Sequence, residues 1–360
     1  MNRDKNIEED IKYMTRALQL AHLAEGHTAP NPMVGAVVVE NGEIIGEGYH
    51  RKCGEPHAEV NAINSVKQRE RLKNSTIYVT LEPCSHYGKT PPCTEKIIAN
   101  EIPRVVIGSI DPFAKVNGQG VKILKEAGIE VEVGVMEKES THLNRRFFTY
   151  HSKKRPYIIL KWAQTCDGYI DNDRSCDSPM SWLTGTACKE MVHKMRKEEG
   201  AIMVGSNTVR RDNPSLTIRD WSGENPVRVV IDRELKLEKE YNIFNAEAKT
   251  LVFNSKMDKN NYIKIDFESP DFLEQILAKL HELEIQSLIV EGGTTLLNMF
   301  INSDLYDEAI IFVSPLSLQE LKYGTAGDGV KAPQFAKGHT IKSKNIEGVI
   351  VKKIVKSEYI

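Results

Sequence analysis

His57-Ala58-Glu59, Pro83-Cys84 and Cys93 are the residues whose types and spacing best suit chemistry. One imidazole and two thiolates can hold zinc with three protein ligands, leaving the fourth tetrahedral position for water. Zinc held in this way brings the pKa of that water towards neutrality. Attack on an amine-bearing ring carbon also needs a proton shuttle, a carboxylate that takes the water's proton, passes it to a ring nitrogen and later protonates departing ammonia. Glu59, beside His57 in sequence, stands where such a carboxylate is needed. Plainer readings exist for each residue. A His-x-Glu alone is most often surface helix, and two cysteines nine apart are most often core thiols. A structural zinc would close its site with a fourth Cys or His, and Cys53 and His86 are near enough in sequence to serve. The zinc-deaminase signature H-x-E followed by P-C-x-x-C is matched in its first part, but eight residues instead of two separate Cys84 from Cys93.

A second constellation lies beyond residue 157. Lys161-Trp162-Ala163-Gln164-Thr165-Cys166-Asp167-Gly168 follows a strand, as an ordinary strand-to-turn exit would. Ala201 to Gly205 is a buried strand leading into a polar loop that runs through Thr208, Asp212, Leu216 and Arg219. Val290-Glu291-Gly292-Gly293-Thr294-Thr295 ends a strand and opens a helix, where backbone amides can cradle a phosphate. It is not a G-x-G-x-x-G fingerprint, so a dinucleotide-binding Rossmann reading gains nothing from it.

The elements that must position these residues follow from periodicity. Ile7, Ile11, Met14, Leu18 and Ala21 predict an amphipathic helix over 7–24. Strands are expected at 33–39 and from Ile44, joined by the hairpin signal Asn41-Gly42. Helix is expected at 57–66, strand at 76–80, helix at 93–100, strand at 104–109, helix at 119–127 and strand at 129–133. The polar, basic stretch at 149–156 reads as a linker, dividing a first domain (1–148) from a second (157–360). In the second, strands are expected at 157–161, 201–205, 227–231, 250–253, 287–290 and 307–313, with helices at 185–198, 271–283 and 292–301. Strands alternating with helices make both halves α/β, with each sheet covered on both faces.

Length and composition agree with two globular domains: 360 residues, 40% hydrophobic and 27% charged. A net charge of −2 gives no sign of a nucleic-acid-coating protein. No apolar run approaches a membrane span and no secretory signal core opens the chain, so cytoplasm is the expected location. Six cysteines spread over such a chain are expected to be free thiols or metal ligands.

Asn31-Pro32-Met33-Val34-Gly35-Ala36, Gly46-Glu47-Gly48-Tyr49-His50, Gly54-Glu55-Pro56-His57-Ala58-Glu59 and the run from Thr80 to Cys93 together resemble the bifunctional riboflavin-biosynthesis deaminase/reductases. The long Cys-Ser-His-Tyr-Gly-Lys-Thr-Pro-Pro-Cys insert is that family's own form. The resemblance implies a cytidine-deaminase-like three-layer αβα domain and zinc on His57, Cys84 and Cys93. It gives proton shuttling to Glu59 and substrate contact to Asn31, His50, His86 and Lys89. For the second half it implies a dihydrofolate-reductase-like α/β domain that uses NADPH. Cofactor contact then falls to Ala163, Trp182, Thr208, Asp212, Gly293, Thr294 and Thr295. Substrate contact falls to Lys161, Arg196, Leu216, Arg219 and Glu291, the two arginines as phosphate clamps. The implied reaction deaminates a phosphoribosylated diaminopyrimidine and then reduces its ribosyl group to ribityl. The expected partners are that small molecule and further copies of the chain, with no nucleic acid and no membrane.

The chain departs from the family pattern in places. Thr165-Cys166-Asp167-Gly168 stands where Ser-Leu-Asp-Gly is usual, Met180 replaces a common serine, and Leu316 to Gly329 fits only loosely. Rival readings are a zinc deaminase of another nucleotide or nucleic-acid base with a degenerate reductase domain, and a non-catalytic zinc- or ligand-binding module.

Overall fold

Strands buried along most of their length, with successive residues pointing to opposite cores, set the architecture, seen in a computed structural model that describes residues 2–87, 91–113, 117–172, 182–321, 329–335 and 340–356. The first of two units, Met1–Lys153, runs α1 (Asn2–His22), β1 (Gly35–Glu40), β2 (Glu43–Tyr49), α2 (Ala58–Ser65), β3 (Thr76–Leu81), α3 (Cys93–Ala99), β4 (Arg104–Ser109), α4 (Gln119–Glu126), β5 (Glu130–Val133), α5 (Glu137–Leu143) and α6 (Arg145–Lys153). Its sheet has the order β2-β1-β3-β4-β5, antiparallel about β1 and parallel from β3 to β5. Ala36, Val38, Ile77, Val79, Val105 and Ile107 face α2, α3 and α4, whereas Val37, Val39, Tyr78 and Val106 face α1 and α5. Alternate residues therefore feed two cores, and the unit has three layers with the sheet in the middle.

Gly46 and Gly48 bring α2 down onto β2. A Cβ on Gly48 would lie 2.3 Å from the Ala62 nitrogen, and one on Gly46 would lie 2.5 Å from the Ala62 carbonyl oxygen. With both side chains absent, helix backbone rests directly on strand backbone.

The second unit, Lys154–Ile360, contains β6 (Tyr157–Gln164), β7 (Tyr169–Asn172), α7 (Thr186–Glu198), β8 (Ala201–Gly205), α8 (Ser206–Asp212), β9 (Val227–Ile231), β10 (Thr250–Asn254), β11 (Tyr262–Lys264), α9 (Phe272–Glu282), β12 (Ser287–Gly292), α10 (Thr294–Asn302), β13 (Glu308–Val313), β14 (Gly329–Lys331), β15 (Thr340–Ile346) and β16 (Val349–Val355). Nine strands form one sheet, β11-β10-β9-β8-β12-β6-β13-β16-β15. The strands from β11 to β13 are parallel, and the β15–β16 hairpin is antiparallel beside β13. One face packs Ile158, Leu160, Met203 and Val290 against α9 and α10, and the other packs Ile159, Ile202, Val204 and Ile289 against α7 and α8.

Two expectations need correction. The linker expected at 149–156 is helical as far as Lys153, because Phe147 and Thr149 of α6 are buried within a segment that reads as polar. The loop expected after Gly205 begins with α8, whose Val209 is fully buried in the core beneath it. None of the described helices is long and apolar enough to cross a membrane.

Candidate active sites

Three elements of the first unit converge at the carboxyl end of its parallel strands. His57 caps the start of α2 in extended backbone, Cys84 follows β3, and Cys93 is the first residue of α3. Their ligand atoms lie within 4.8 Å of one another. His57 Nδ1 is the ring nitrogen facing the sulfurs, 3.5 Å from Cys84 Sγ and 3.3 Å from Cys93 Sγ. The Cys93 main-chain N–H donates to Cys84 Sγ at 3.3 Å, so the start of α3 adds partial positive charge beside that sulfur. Neither Cys53 nor His86 joins the cluster among the described residues; both are exposed. Three donors of this kind suit a zinc ion with one position left open.

The same three groups share protons among themselves, and a metal must displace those protons to bind. Hydrogen bonds from Cys93 and His57 hold Cys84 down at about 4, and the Cys84 sulfur in turn lifts His57 to about 9. Cys93 is pushed up by its hydrogen bond to Cys84 and by burial. Glu59, in the first turn of α2, is 3% exposed, and burial raises its carboxyl. A carboxyl displaced upwards beside a metal-type cluster is suited to carrying a proton both ways.

His50 is buried next to His57, with ring centroids 5.4 Å apart. Its Nδ1 lies 3.2 Å from the Pro56 carbonyl oxygen, which can only accept, so the proton is on Nδ1. Its Nε2 then accepts from Asn31 Nδ2 at 3.1 Å, and burial favours the neutral ring. This leaves the Asn31 side-chain oxygen as an acceptor. His86 packs edge-on to Phe113, with 6.2 Å between centroids, and Lys89 lies outside the described residues.

No motif in the sequence assigns a role to Glu82 or Asp111. Glu82, 4% exposed, accepts main-chain N–H groups from Asp111, Gly118 and Val121, which ties the Cys84 loop to the loop after β4. Burial lifts the Asp111 carboxyl to about 6, and its Oδ1 accepts the Phe113 N–H. Hydrogen bonds between segments distant in sequence leave no local pattern that could reveal them.

In the second unit the chain leaves β8 into α8 on one face and leaves the adjacent β12 into α10 on the other. Neighbouring strands that send their connections to opposite faces open a crevice at their carboxyl ends, where ligands bind in open α/β sheets. Thr208 and the Gly292-Gly293-Thr294 turn meet there. A Cβ on Gly292 would lie 3.2 Å from Thr208 Oγ1, Gly293 has φ +38°, and the buried Thr294 Oγ1 has no partner among the described residues. An orphaned hydroxyl at a helix start fits an acceptor-rich ligand such as a cofactor phosphate. Ala163 is half-buried near the end of β6, whereas Trp182, Asp212 and Thr295 are exposed.

Lys161 and Glu291 project from neighbouring strands, 3.8 Å apart. Arg196 of α7 grips Glu291 through Nη2 at 2.9 Å and Nε at 3.4 Å, and its Nη1 donates to the Thr217 carbonyl at 3.1 Å. Burial alone would raise the Glu291 carboxyl, but Arg196 and Lys161 outweigh it and hold it at about 2. Burial, aided by Arg196, pushes the Lys161 ammonium down against the pull of Glu291. Arg219 is exposed at the rim, and Leu216 is buried with a left-handed φ of +53°. A bulky residue in that conformation persists only when its surroundings hold it. One departure from the family pattern costs nothing locally, since Thr165 supplies the hydroxyl that accepts the Tyr169 N–H at 2.9 Å. Met180 and residues 322–328 of the loosely fitting loop lie outside the described residues.

The profile of the cytidine and deoxycytidylate deaminase zinc-binding region matches residues 7–109, and that of the RibD C-terminal domain matches 156–348. The fold and both sites therefore define a deaminase of the zinc-binding type joined to a reductase domain. The riboflavin biosynthesis protein RibD of Aquifex aeolicus is 44% identical over 89% of this chain and 91% of its own. That of Escherichia coli is 35% identical over 85% and 88%. A crystal structure from Thermotoga maritima, described as a diaminohydroxyphosphoribosylaminopyrimidine deaminase/5-amino-6-(5-phosphoribosylamino)uracil reductase, is 36% identical. It covers 97% of this chain and 99% of its own, with a TM-score of 0.84. The chain belongs to the RibD family of riboflavin biosynthesis proteins, and it is both a deaminase and a reductase acting on a small-molecule pyrimidine.

Proposed function

We propose that the first unit hydrolyses the ring amine of 2,5-diamino-6-hydroxy-4-(5-phosphoribosylamino)pyrimidine and that the second reduces the ribosyl group of the product to ribityl. His57, Cys84 and Cys93 would hold zinc, which when bound acidifies a water. Glu59 takes one proton from that water and delivers it to the ring nitrogen, then takes the second from the hydroxyl now on the ring carbon and gives it to the amine, which departs as ammonia. Asn31, fixed by neutral His50, accepts from an N–H of the substrate, while His86 and Lys89 stand on the loop that would meet its ribose phosphate. In the second unit NADPH, when bound, donates the hydride. Gly293, Thr294, Thr295 and Thr208 cradle its phosphates, with Ala163, Trp182 and Asp212 around it. Lys161 and Glu291 face the reacting ribose, Leu216 and Arg196 shape its pocket, and Arg219 meets its phosphate. The activity described for the T. maritima relative, 36% identical to this chain, supports this substrate. Cytoplasm, a homo-oligomer and the absence of a nucleic-acid partner belong to the same proposal, supported by the net charge of −2 for the last.

The observation that carries the proposal is the His57–Cys84–Cys93 cluster with buried Glu59 beside it. Glu59→Gln is expected to cut ammonia release about 10²–10⁴-fold while zinc content stays at wild type. Turnover equal to wild type would overturn the assignment.

A further inference from the structure

The segment from Ser215 to Arg219 carries both Leu216 and Arg219, yet it belongs to no strand or helix. Basic side chains hold its backbone at alternate residues. Arg228, fully buried, donates through Nη1 to the Ser215 carbonyl at 3.3 Å. Arg196 donates to the Thr217 carbonyl at 3.1 Å. His193, one turn before Arg196 on α7 and 2% exposed, accepts the Arg219 main-chain N–H on Nδ1 at 3.1 Å. Between these, Asn225 Oδ1 accepts the Ile218 N–H at 2.8 Å.

We propose that His193 is a positioning residue for the reductase, acting through the Arg219 main chain to aim the Arg219 guanidinium at the substrate phosphate. This rests on the reading of Arg219 as that clamp. An N–H can only donate, so Nδ1 presents its lone pair and the ring proton is on Nε2. Nε2 lies 3.4 Å from Asp220 Oδ2, which Lys189 Nζ holds at 2.9 Å. Asp220 thus fixes the tautomer that Arg219 requires, as the orienting carboxylate of a histidine commonly does. Burial and the charge of Arg196 keep the ring neutral, so Nδ1 remains an acceptor. Arg219 itself is exposed, and with its N–H anchored the side chain starts from one fixed backbone position. An arginine held in this way loses less freedom when it closes on an anion.

The two amide replacements separate this role from simple packing. Asn places its side-chain oxygen near the Nδ1 position and can accept the Arg219 N–H. Gln reaches the Nε2 position and leaves that N–H unpaired. In an assay of NADPH oxidation on the deaminated phosphoribosyl intermediate, His193→Gln is expected to raise the substrate KM about five- to tenfold, the loss of one neutral hydrogen bond. The value of kcat and the KM for NADPH should hold, and His193→Asn should restore the wild-type KM. With the dephosphorylated substrate, the Gln variant and wild type should coincide. Equal KM values for the Asn and Gln variants, or a loss that falls on kcat or on NADPH, would overturn the inference. Arg219→Ala identifies which premise failed. If it leaves the KM for the phosphorylated substrate unchanged, the clamp reading falls and the inference falls with it. If it raises that KM while Asn and Gln behave alike, only the role of His193 falls.

Discussion

Glu291 places a carboxylate between Arg196 and Lys161 in a buried site, and this has a consequence in acid. Its folded value, about 2, lies below the ordinary 4.5, so its stabilising contribution is complete above 4.5 and is lost as pH falls through 2. The denaturant midpoint of the full chain, followed from pH 5 to 2, should therefore fall less steeply in Glu291→Gln than in wild type. At pH 7 the variant should be less stable by about 3–5 kcal/mol, because two buried cations lose their counter-charge. Identical pH slopes would show that the group does not carry this linkage. At the residue scale the sequence displayed donor types well: His57, Cys84, Cys93 and Glu59 are recognisable because metal and proton chemistry need those side chains. It displayed tertiary partners poorly. Glu82 and His193 accept main-chain N–H groups remote in sequence, and Arg196, expected as a phosphate clamp, is largely engaged with Glu291 and Thr217.

At the scale of elements, the depth of α2 is set by the bare backbone of β2. Gly48→Ala would put a methyl 2.3 Å from the Ala62 nitrogen and 2.7 Å from the Ala58 carbonyl oxygen, atoms that cannot yield without moving the helix. The expected cost is about 1–3 kcal/mol of stability. Since His57 caps α2 and Glu59 lies in its first turn, zinc retention on dialysis should fall as well. A thermal melt and metal content on one sample check both, and a variant with wild-type values would show that α2 has room to spare. The strands around this helix were legible because Ala36–Val39 and Val105–Ile107 are short, unbroken, mostly β-branched apolar runs, as strands buried on both faces require. α6 and α8 were not. Arg145-Arg-Phe-Phe-Thr-Tyr-His-Ser-Lys153 and Ser206-Asn-Thr-Val-Arg-Arg-Asp212 bury few side chains each, so polarity hides the helical stripe.

At the scale of the whole molecule, all three zinc-type ligands lie in the first unit, and Lys161, Arg196 and Glu291 lie in the second. Chelation of the metal should therefore abolish ammonia release while sparing NADPH oxidation on substrate that is already deaminated. Parallel loss of both activities would mean that folding of the second unit depends on the metal. The order of strands in the second sheet also has a consequence during synthesis. β6 is the first strand of that unit to be made, yet its two neighbours, β12 and β13, are completed about 130 and 150 residues later. At cellular elongation rates an apolar strand reading Tyr-Ile-Ile-Leu waits roughly 7–30 s on the ribosome before either edge is covered. The first unit has by then emerged with a complete sheet. Nascent-chain capture is thus expected to find trigger-type chaperones concentrated on chains that have passed residue 164 but not yet reached 313.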